Sequence, residues 1–136
     1  MNTEDSLLRM FQVLETHGVY ASEQFFYDIK RLVKTDVKKF IKDFAKNFMR
    51  SDLKKYKKYE RLNTTPPQNK RLDGNALFRY EYRNSSNLRC IYMVIDVNNK
   101  NEVRLLCAFN EDGDKRRGKN SYDANIERAI RIYEEK

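Results

Sequence analysis

Hydrophobic and polar side chains alternate over residues 77–83, which read Leu-Phe-Arg-Tyr-Glu-Tyr-Arg. Successive side chains of a strand point to opposite faces, so this strand has one aromatic face and one ionic face. Residues 89–95 are apolar at both parities, which is typical of a central strand covered on both sides. Residues 103–109 form a third apolar segment, and polar turns separate the three. The pattern predicts a three-stranded antiparallel meander.

Helical periodicity flanks this meander. Residues 3–17 carry an apolar stripe, and residues 37–48 form an amphipathic helix behind a cap at Asp36. Residues 122–133 show the same spacing and predict a closing helix. Another helix is predicted over residues 51–62, before the two prolines at 66 and 67, because proline cannot continue the helical hydrogen-bond ladder.

Residues 20–33 fit two structures. A helix could begin at a Ser22 cap, and Glu23 and Gln24 favour it by propensity. The aromatic and branched residues of the segment favour a strand instead, and we predict a strand over residues 26–32.

Together these elements predict an α+β fold in which a small antiparallel sheet is backed by N-terminal helices, with a C-terminal helix at the sheet edge. We find no internal repeat or low-complexity linker, so residues 1–136 are assigned to a single domain with an additional N-terminal helix at residues 3–17.

The composition indicates an anionic partner. The formal net charge is +8 and the sequence pI is about 9.5, which suits nucleic acid, a ribosome surface, an acidic protein or an anionic membrane. No apolar run reaches the roughly 18 residues of a membrane span, and the N-terminus lacks the basic start of a signal peptide, so we expect a cytoplasmic protein without membrane partners. Cys90 and Cys107 lie inside predicted strands, where they are interpreted as small buried hydrophobic residues. The single histidine, His17, leaves no pattern for a metal site, and we expect no metal and no cofactor.

The basic residues of the meander converge in the predicted topology. Arg83 and Arg89 flank one short turn, and Arg79 shares the strand face of Arg83. The loop after the third strand leaves the same end of the sheet and carries four more cations: Lys115, Arg116, Arg117 and Lys119. Such a cluster suits metal-free cleavage of RNA, in which the 2′-OH attacks its own phosphate and guanidinium groups bind the developing charge. Glu81 is either an acid/base group or a cross-strand ion-pair partner.

A second basic surface is predicted on residues 38–58, where cations and tyrosines interleave. Its cations would follow an RNA backbone, or they form a solvated helix face whose tyrosines pack inward. The candidate RNA ligands there are Lys54, Lys55, Lys57 and Lys58.

The order of these motifs resembles the RelE/ParE toxin superfamily. Lys70-Arg71-Leu72-Asp73-Gly74 stands for the Lys-Leu-x-Gly element, residues 77–83 for the strand with basic ends, and Leu88-Arg89-Cys90-Ile91-Tyr92 for the Arg-hydrophobic-hydrophobic-Tyr strand. The basic loop after Phe109 and Ile126-Glu127-Arg128-Ala129 resemble the HigB or phage Gp49-like branch. Relative to that pattern, residues 3–17 are an added helix and residues 111–114 are an acidic insertion.

The resemblance implies a type II toxin that cleaves mRNA on the ribosome and is neutralised by an antitoxin. The catalytic candidates are Arg83 and Arg89 as phosphate ligands, with Glu81, Lys115 and Lys119 as acid/base groups. Arg79, Arg116 and Arg117 are candidate RNA ligands. Two alternatives remain open: a non-enzymatic binding module of this fold, such as a topoisomerase inhibitor or phage regulator, and a plain nucleic-acid-binding protein that uses residues 38–58.

Overall fold

The computed structural model describes residues 2–49, 61–82, 87–111 and 121–135. These residues form five helices and four strands in the order α1 (Thr3–Glu15), β1 (Val19–Ala21), α2 (Glu23–Leu32), α3 (Val37–Phe48), α4 (Pro66–Arg71), β2 (Leu77–Glu81), β3 (Leu88–Val97), β4 (Lys100–Asn110) and α5 (Tyr122–Glu134). The strand order is β1-β4-β3-β2, with β1 parallel to β4 and the other neighbours antiparallel. The predicted α+β class is confirmed, although the sheet is mixed rather than purely antiparallel.

Helices cover both faces of the sheet. The helices α1, α2 and α3 pack on one face and form a core with alternate residues of all four strands. The helix α5 packs on the other face through Ile126, Ala129 and Ile130, together with Leu62 and Leu72. The C-terminal helix therefore lies on a sheet face and not at the sheet edge, where the sequence had placed it.

The parity of the meander strands decides which side chains face each layer. Tyr80 of β2 packs its ring against Phe44 and Phe48 of α3, with centroid distances of 5.5 and 5.1 Å. Tyr82 meets the Phe40 ring at 5.2 Å. Tyr92 of β3 is also buried in this layer, whereas its neighbours Ile91 and Met93 face α5. The aromatic face of β2 and the coverage of β3 on both sides are thus as the sequence predicts.

The segment predicted as a strand at residues 26–32 is helical. Ser22 caps α2 by accepting a hydrogen bond from the Phe25 N–H at 3.0 Å, and Phe25 and Ile29 are fully buried one turn apart. The cap and this buried stripe outweigh the β-propensity of the aromatic residues. The sequence analysis also missed β1, whose three residues pair with Val103–Leu105 of β4 and are too few to show a period.

The two prolines at 66 and 67 begin a helix. Thr65 accepts from the Gln68 N–H while the Gln68 side chain accepts from the Thr65 N–H, so the pair forms a capping box with proline in the first turn. The helix predicted at residues 51–62 lies almost entirely outside the described residues. Its last two residues are described and are not helical: Arg61 forms an isolated antiparallel bridge with Phe78, and the Leu62 N–H donates to the carbonyl of Leu77 in β2 at 2.9 Å.

The outer edge of β4 is irregular. The register with β3 steps from Ile91–Cys107 to Tyr92–Leu105, which leaves Leu106 as the extra residue of a β-bulge. The parallel pairing with β1 stops at Leu105, so the described residues provide no further strand on that side. The Ser22 N–H donates to the Leu105 carbonyl at 2.9 Å, and the Ser22 hydroxyl donates to the Leu106 carbonyl at 2.8 Å.

Asp28 and Arg128 complete this edge from opposite sides of the sheet. The Ala108 N–H donates to Asp28 Oδ2 at 3.0 Å, and Arg128 Nη2 donates to the same oxygen at 2.6 Å. The Asp28 side chain is only 2 % exposed. Because Asp28 belongs to α2 and Arg128 to α5, their ion pair joins the two helical layers around the sheet edge.

Removing the Asp28 carboxylate is expected to destabilise the fold strongly. Asp28→Ala leaves Arg128 without its carboxylate and the Ala108 N–H without its acceptor, and breaking a buried pair in this way costs about 3 kcal/mol. Urea unfolding measures this loss. The double variant Asp28→Ala/Arg128→Met should cost clearly less than the two single changes added together, because the residues are directly coupled. Strictly additive costs would contradict the coupling.

Both cysteines are buried, as the sequence predicts, and lie on opposite faces of the sheet. Burial raises the pKa of Cys90 well above its ordinary value. It also raises the pKa of Cys107 to about 12, an effect that the nearby Arg128 charge partly opposes. Both side chains are therefore neutral thiols at physiological pH, and the thiolate is the nucleophilic form.

We expect neither cysteine to react with iodoacetamide in the native protein at pH 8. Both should react quickly in urea, where the chain is unfolded and the pKa of each thiol returns to that of an exposed cysteine. Mass spectrometry after timed quenching measures the two rates. Rapid native labelling of either thiol would contradict the burial described here.

Candidate functional site

The ionic face of β2 meets the first residues of β3 at one end of the sheet. Glu81 is the register partner of Arg89, so their side chains share the face that points away from α1, α2 and α3. Glu81 Oε1 lies 3.8 Å from Arg89 Nε and 3.7 Å from Arg79 Nε. The Glu81 carboxylate thus lies between two guanidinium groups, one from β2 and one from β3.

A second carboxylate holds Arg89. Arg89 Nε donates to Glu111 Oε1 at 3.0 Å, and Arg89 Nη1 donates to the carbonyl of Leu88 at 3.2 Å. Glu111 follows β4 and is fixed by its own N–H, which donates to the Asn87 carbonyl at 2.9 Å. The Arg89 side chain is only 15 % exposed. Its guanidinium is therefore a positioned, partly desolvated cation, unlike an ordinary surface arginine.

Tyr122 lies beside Arg79. It is the first residue of α5, which Ser121 caps by accepting from the Ala124 N–H at 3.1 Å. The Arg79 guanidinium lies over the Tyr122 ring at 5.7 Å from its centroid, and Phe109 meets the ring edge-on at 5.1 Å. Burial raises the pKa of Tyr122, and the Arg79 charge partly opposes that rise. The Tyr122 hydroxyl is neutral at physiological pH and has no hydrogen-bond partner within the described part of the chain.

Of the candidates named from the sequence, the structure places three: Arg79, Glu81 and Arg89, which lie together. The remaining candidates lie outside the described residues: Arg83, Lys115, Arg116, Arg117, Lys119, Lys54, Lys55, Lys57 and Lys58. The described residues next to two of those segments are held by backbone hydrogen bonds. The Tyr82 N–H donates to the Leu88 carbonyl at 3.0 Å, and Glu111 is bonded to Asn87, so the chain leaves β2 and β4 at the end of the sheet that holds Arg89.

Two members of this cluster, Glu111 and Tyr122, are not among the candidates that the sequence pattern indicates. Glu111 was considered only as part of an acidic turn, because the predicted strand ended at Phe109. The strand continues to Asn110, opposite Leu88, and this register brings Glu111 next to Arg89. Tyr122 could have been noticed from its place directly after the Ser121 cap, which brings it close to the end of β4.

The residues in the described ranges were compared with the patterns of a metal site and of a membrane-spanning helix. They contain no group of three or more histidine, cysteine, aspartate or glutamate side chains that could hold a metal ion. None of their helices is both long enough and apolar enough to cross a membrane.

Comparison with protein-family models, curated proteins and solved structures gave no match to this chain. The similarity to RelE/ParE toxins therefore rests on the order of motifs in the sequence. The cluster is defined by its own geometry: two arginines, two carboxylates and a half-buried tyrosine at one end of the sheet. Guanidinium groups in such a site can bind a phosphate once it displaces a carboxylate partner.

Because Glu111 occupies Arg89, we expect Glu111→Gln to strengthen the binding of single-stranded RNA. The gain should be about threefold, since a partly exposed ion pair is worth up to roughly 1 kcal/mol. Fluorescence anisotropy at constant salt measures the affinity. The matched control is Glu102→Gln, because Glu102 pairs with Arg104 at 2.9 Å and is of similar exposure. Equal gains in both variants would show a general charge effect and no RNA contact at Arg89.

Proposed function

We propose that this protein is the toxin of a type II toxin–antitoxin pair and that it is a ribosome-dependent mRNA endoribonuclease of the RelE/ParE type. The observation that carries the proposal is the cluster of Arg79, Arg89, Glu81 and Tyr122 at the sheet end from which two basic segments depart. The motif order of the sequence and the antiparallel pairing of β2, β3 and β4 support it.

The proposed reaction needs no metal. The ribose 2′-OH attacks the adjacent phosphorus, a new P–O2′ bond forms, and the P–O5′ bond breaks. The products are a 2′,3′-cyclic phosphate and a 5′-hydroxyl. In this scheme Arg89 and Arg79 bind the phosphate oxygens, whose negative charge grows in the transition state. Arg83 would join them from the turn after β2.

Proton transfers in this scheme fall to side chains around the arginines. Glu81 lies within 4 Å of both Arg79 and Arg89, so a phosphate bound between them would lie close to its carboxylate. We assign Glu81 as the base that accepts the 2′-OH proton, and Lys115 or Lys119 as the acid that protonates the leaving O5′. The Tyr122 ring lies against the Arg79 guanidinium and would help to position it toward the phosphate.

The partial burial of Arg89 is what makes it suited to catalysis. An exposed guanidinium attracts phosphate weakly because water screens its charge, whereas a positioned and desolvated one stabilises developing charge without reorganising. The proposed partners are mRNA on the ribosome in the cytoplasm and a cognate antitoxin. The net charge of +8 supports attraction to RNA and to an acidic protein.

One observation favours a non-enzymatic alternative. Both described arginines of the cluster have carboxylate partners, an arrangement that also serves purely to hold strands together. In that case the protein is a binding module of the same fold, such as a topoisomerase inhibitor or a phage regulator. The exposed lysines of α3, including Lys38 and Lys42, favour a plain nucleic-acid-binding role in the same indirect way.

Arg89→Ala is expected to abolish growth arrest and translation-dependent mRNA cleavage. Losing one donor to transition-state charge typically costs about 2.7–4 kcal/mol, or roughly a hundred- to a thousandfold in rate. Induced expression, followed by mapping of mRNA 5′ ends, measures both effects. Arg104→Ala is the control, because Arg104 is also paired with a glutamate but lies on β4 away from the cluster.

The outcomes separate the candidate functions, provided that circular dichroism shows each variant to be folded. Full growth arrest with Arg89→Ala would show that Arg89 is not a catalytic residue. Growth arrest by the unaltered protein without any mRNA cleavage would favour the non-enzymatic binding module.

A further inference from the structure

A groove runs between α1 and α3 on the outer surface of the helical layer. Its volume is about 370 Å³. Residues of both helices line it: Ser6, Arg9, Met10 and Val13 from α1, with Lys38, Ile41 and Ala45 from α3. The groove is separate from the proposed RNA site, because these helices cover the sheet face opposite Arg79 and Arg89.

The groove has an apolar floor between basic residues. Val13 is 44 % exposed even though it is a large apolar residue, and Ile41 is partly exposed beside it, whereas Met10 is a buried part of the lining. The charged residues in the lining, Arg9 and Lys38, are both cations. Partly exposed apolar side chains in a concave surface gain free energy when another apolar surface covers them.

We infer that the groove docks an amphipathic helix of a partner protein, with an apolar stripe toward the floor and acidic side chains toward Arg9 and Lys38. Helix-in-groove recognition uses apolar anchors at i, i+3, i+4 and i+7, a spacing that suits a groove between two helices. Charge complementarity selects acidic flanks, because the lining residues that the structure describes include two cations, Arg9 and Lys38, and no carboxylate.

Other occupants fit less well. The described residues that line the groove include no aromatic side chain, so they offer no stacking surface of the kind that single-stranded RNA uses. The apolar residues are recessed between two helices, whereas a helix that binds a membrane surface projects its apolar face into the lipid. A small polar ligand would need several converging polar groups, and among the described lining residues Ser6 is the one that is polar and uncharged.

The test uses a blocked, fluorescein-labelled peptide about five helical turns long, with leucine at the stripe positions and glutamate elsewhere. Fluorescence anisotropy should show saturable binding to the full-length protein that weakens with salt. Val13→Glu should weaken binding by about tenfold or more, since it puts a charge among the apolar anchors and repels the glutamates. Val13 is exposed on a helix, so this variant should fold, and thermal melting checks it.

Val97→Glu is the matched control. Val97 is 37 % exposed and ends β3, so the same substitution is made at a similarly exposed valine outside the groove. It should leave peptide binding unchanged. A second control peptide has the same composition with its leucines scattered around the helix, and it should bind weakly.

Three results would overturn the inference. The first is no binding of the acidic peptide, and the second is equal binding to the Val13→Glu and Val97→Glu proteins. The third is binding of phosphatidylserine vesicles or of an RNA oligonucleotide that requires Val13 when the peptide does not bind. Peptide binding is measured without any nuclease assay, so a failure of the proposed RNA cleavage and a failure of this docking surface are read separately.

Discussion

The ion pair between Asp28 and Arg128 is the constraint on which the arrangement of layers depends. β1 is short, so β4 would present an unpaired edge beyond Leu105, and the bulge at Leu106 makes that edge irregular. Asp28 satisfies the edge by accepting from the Ala108 N–H, and Arg128 neutralises Asp28 from the opposite face. Burying this carboxylate is tolerable because it accepts hydrogen bonds from the Ala108 N–H and from Arg128, and Arg31 adds a longer ion pair at 3.6 Å. The two helical layers are thereby held in one relative position.

The predictable part of the fold was the part with a regular period. Alternation in β2 and the apolar stripe of α3 each specify a single buried face, and the rings of Phe44 and Tyr80 meet as that pattern requires. In β1 and α2 the spacing of hydrophobic residues was absent or ambiguous. β1 has too few residues to show one, and α2 was decided by the Ser22 cap, whose hydroxyl also bonds Leu106 across the molecule. Such long-range contacts cannot be read from neighbouring residues.

The candidate site divides in the same way. The sequence indicates Arg89 because it begins the strand after the short turn, and Glu81 because it is the carboxylate on the ionic face of β2. The register of β2 and β3 then makes the two residues direct partners. Their remaining neighbours depend on where strands and helices end, which is the least regular feature of a sequence. One additional residue at the end of β4 brings Glu111 to Arg89, and the capped start of α5 brings Tyr122 to Arg79. Sequence patterns thus located the cations but not the side chains that contact them.

The positive charge of the protein consequently serves two different physical purposes. On the ionic sheet face, Arg89 is paired and partly desolvated, so its effect is short-ranged and strong at one position. On α3, Lys38 and Lys42 are exposed, and their effect is screened by salt but extends about a Debye length into solution. The sheet and its aromatic core separate the two. A partner attracted to the helical layer would therefore not compete for Arg89, and the proposed docking of a protein helix and the proposed binding of a phosphate would use separate surfaces of the molecule.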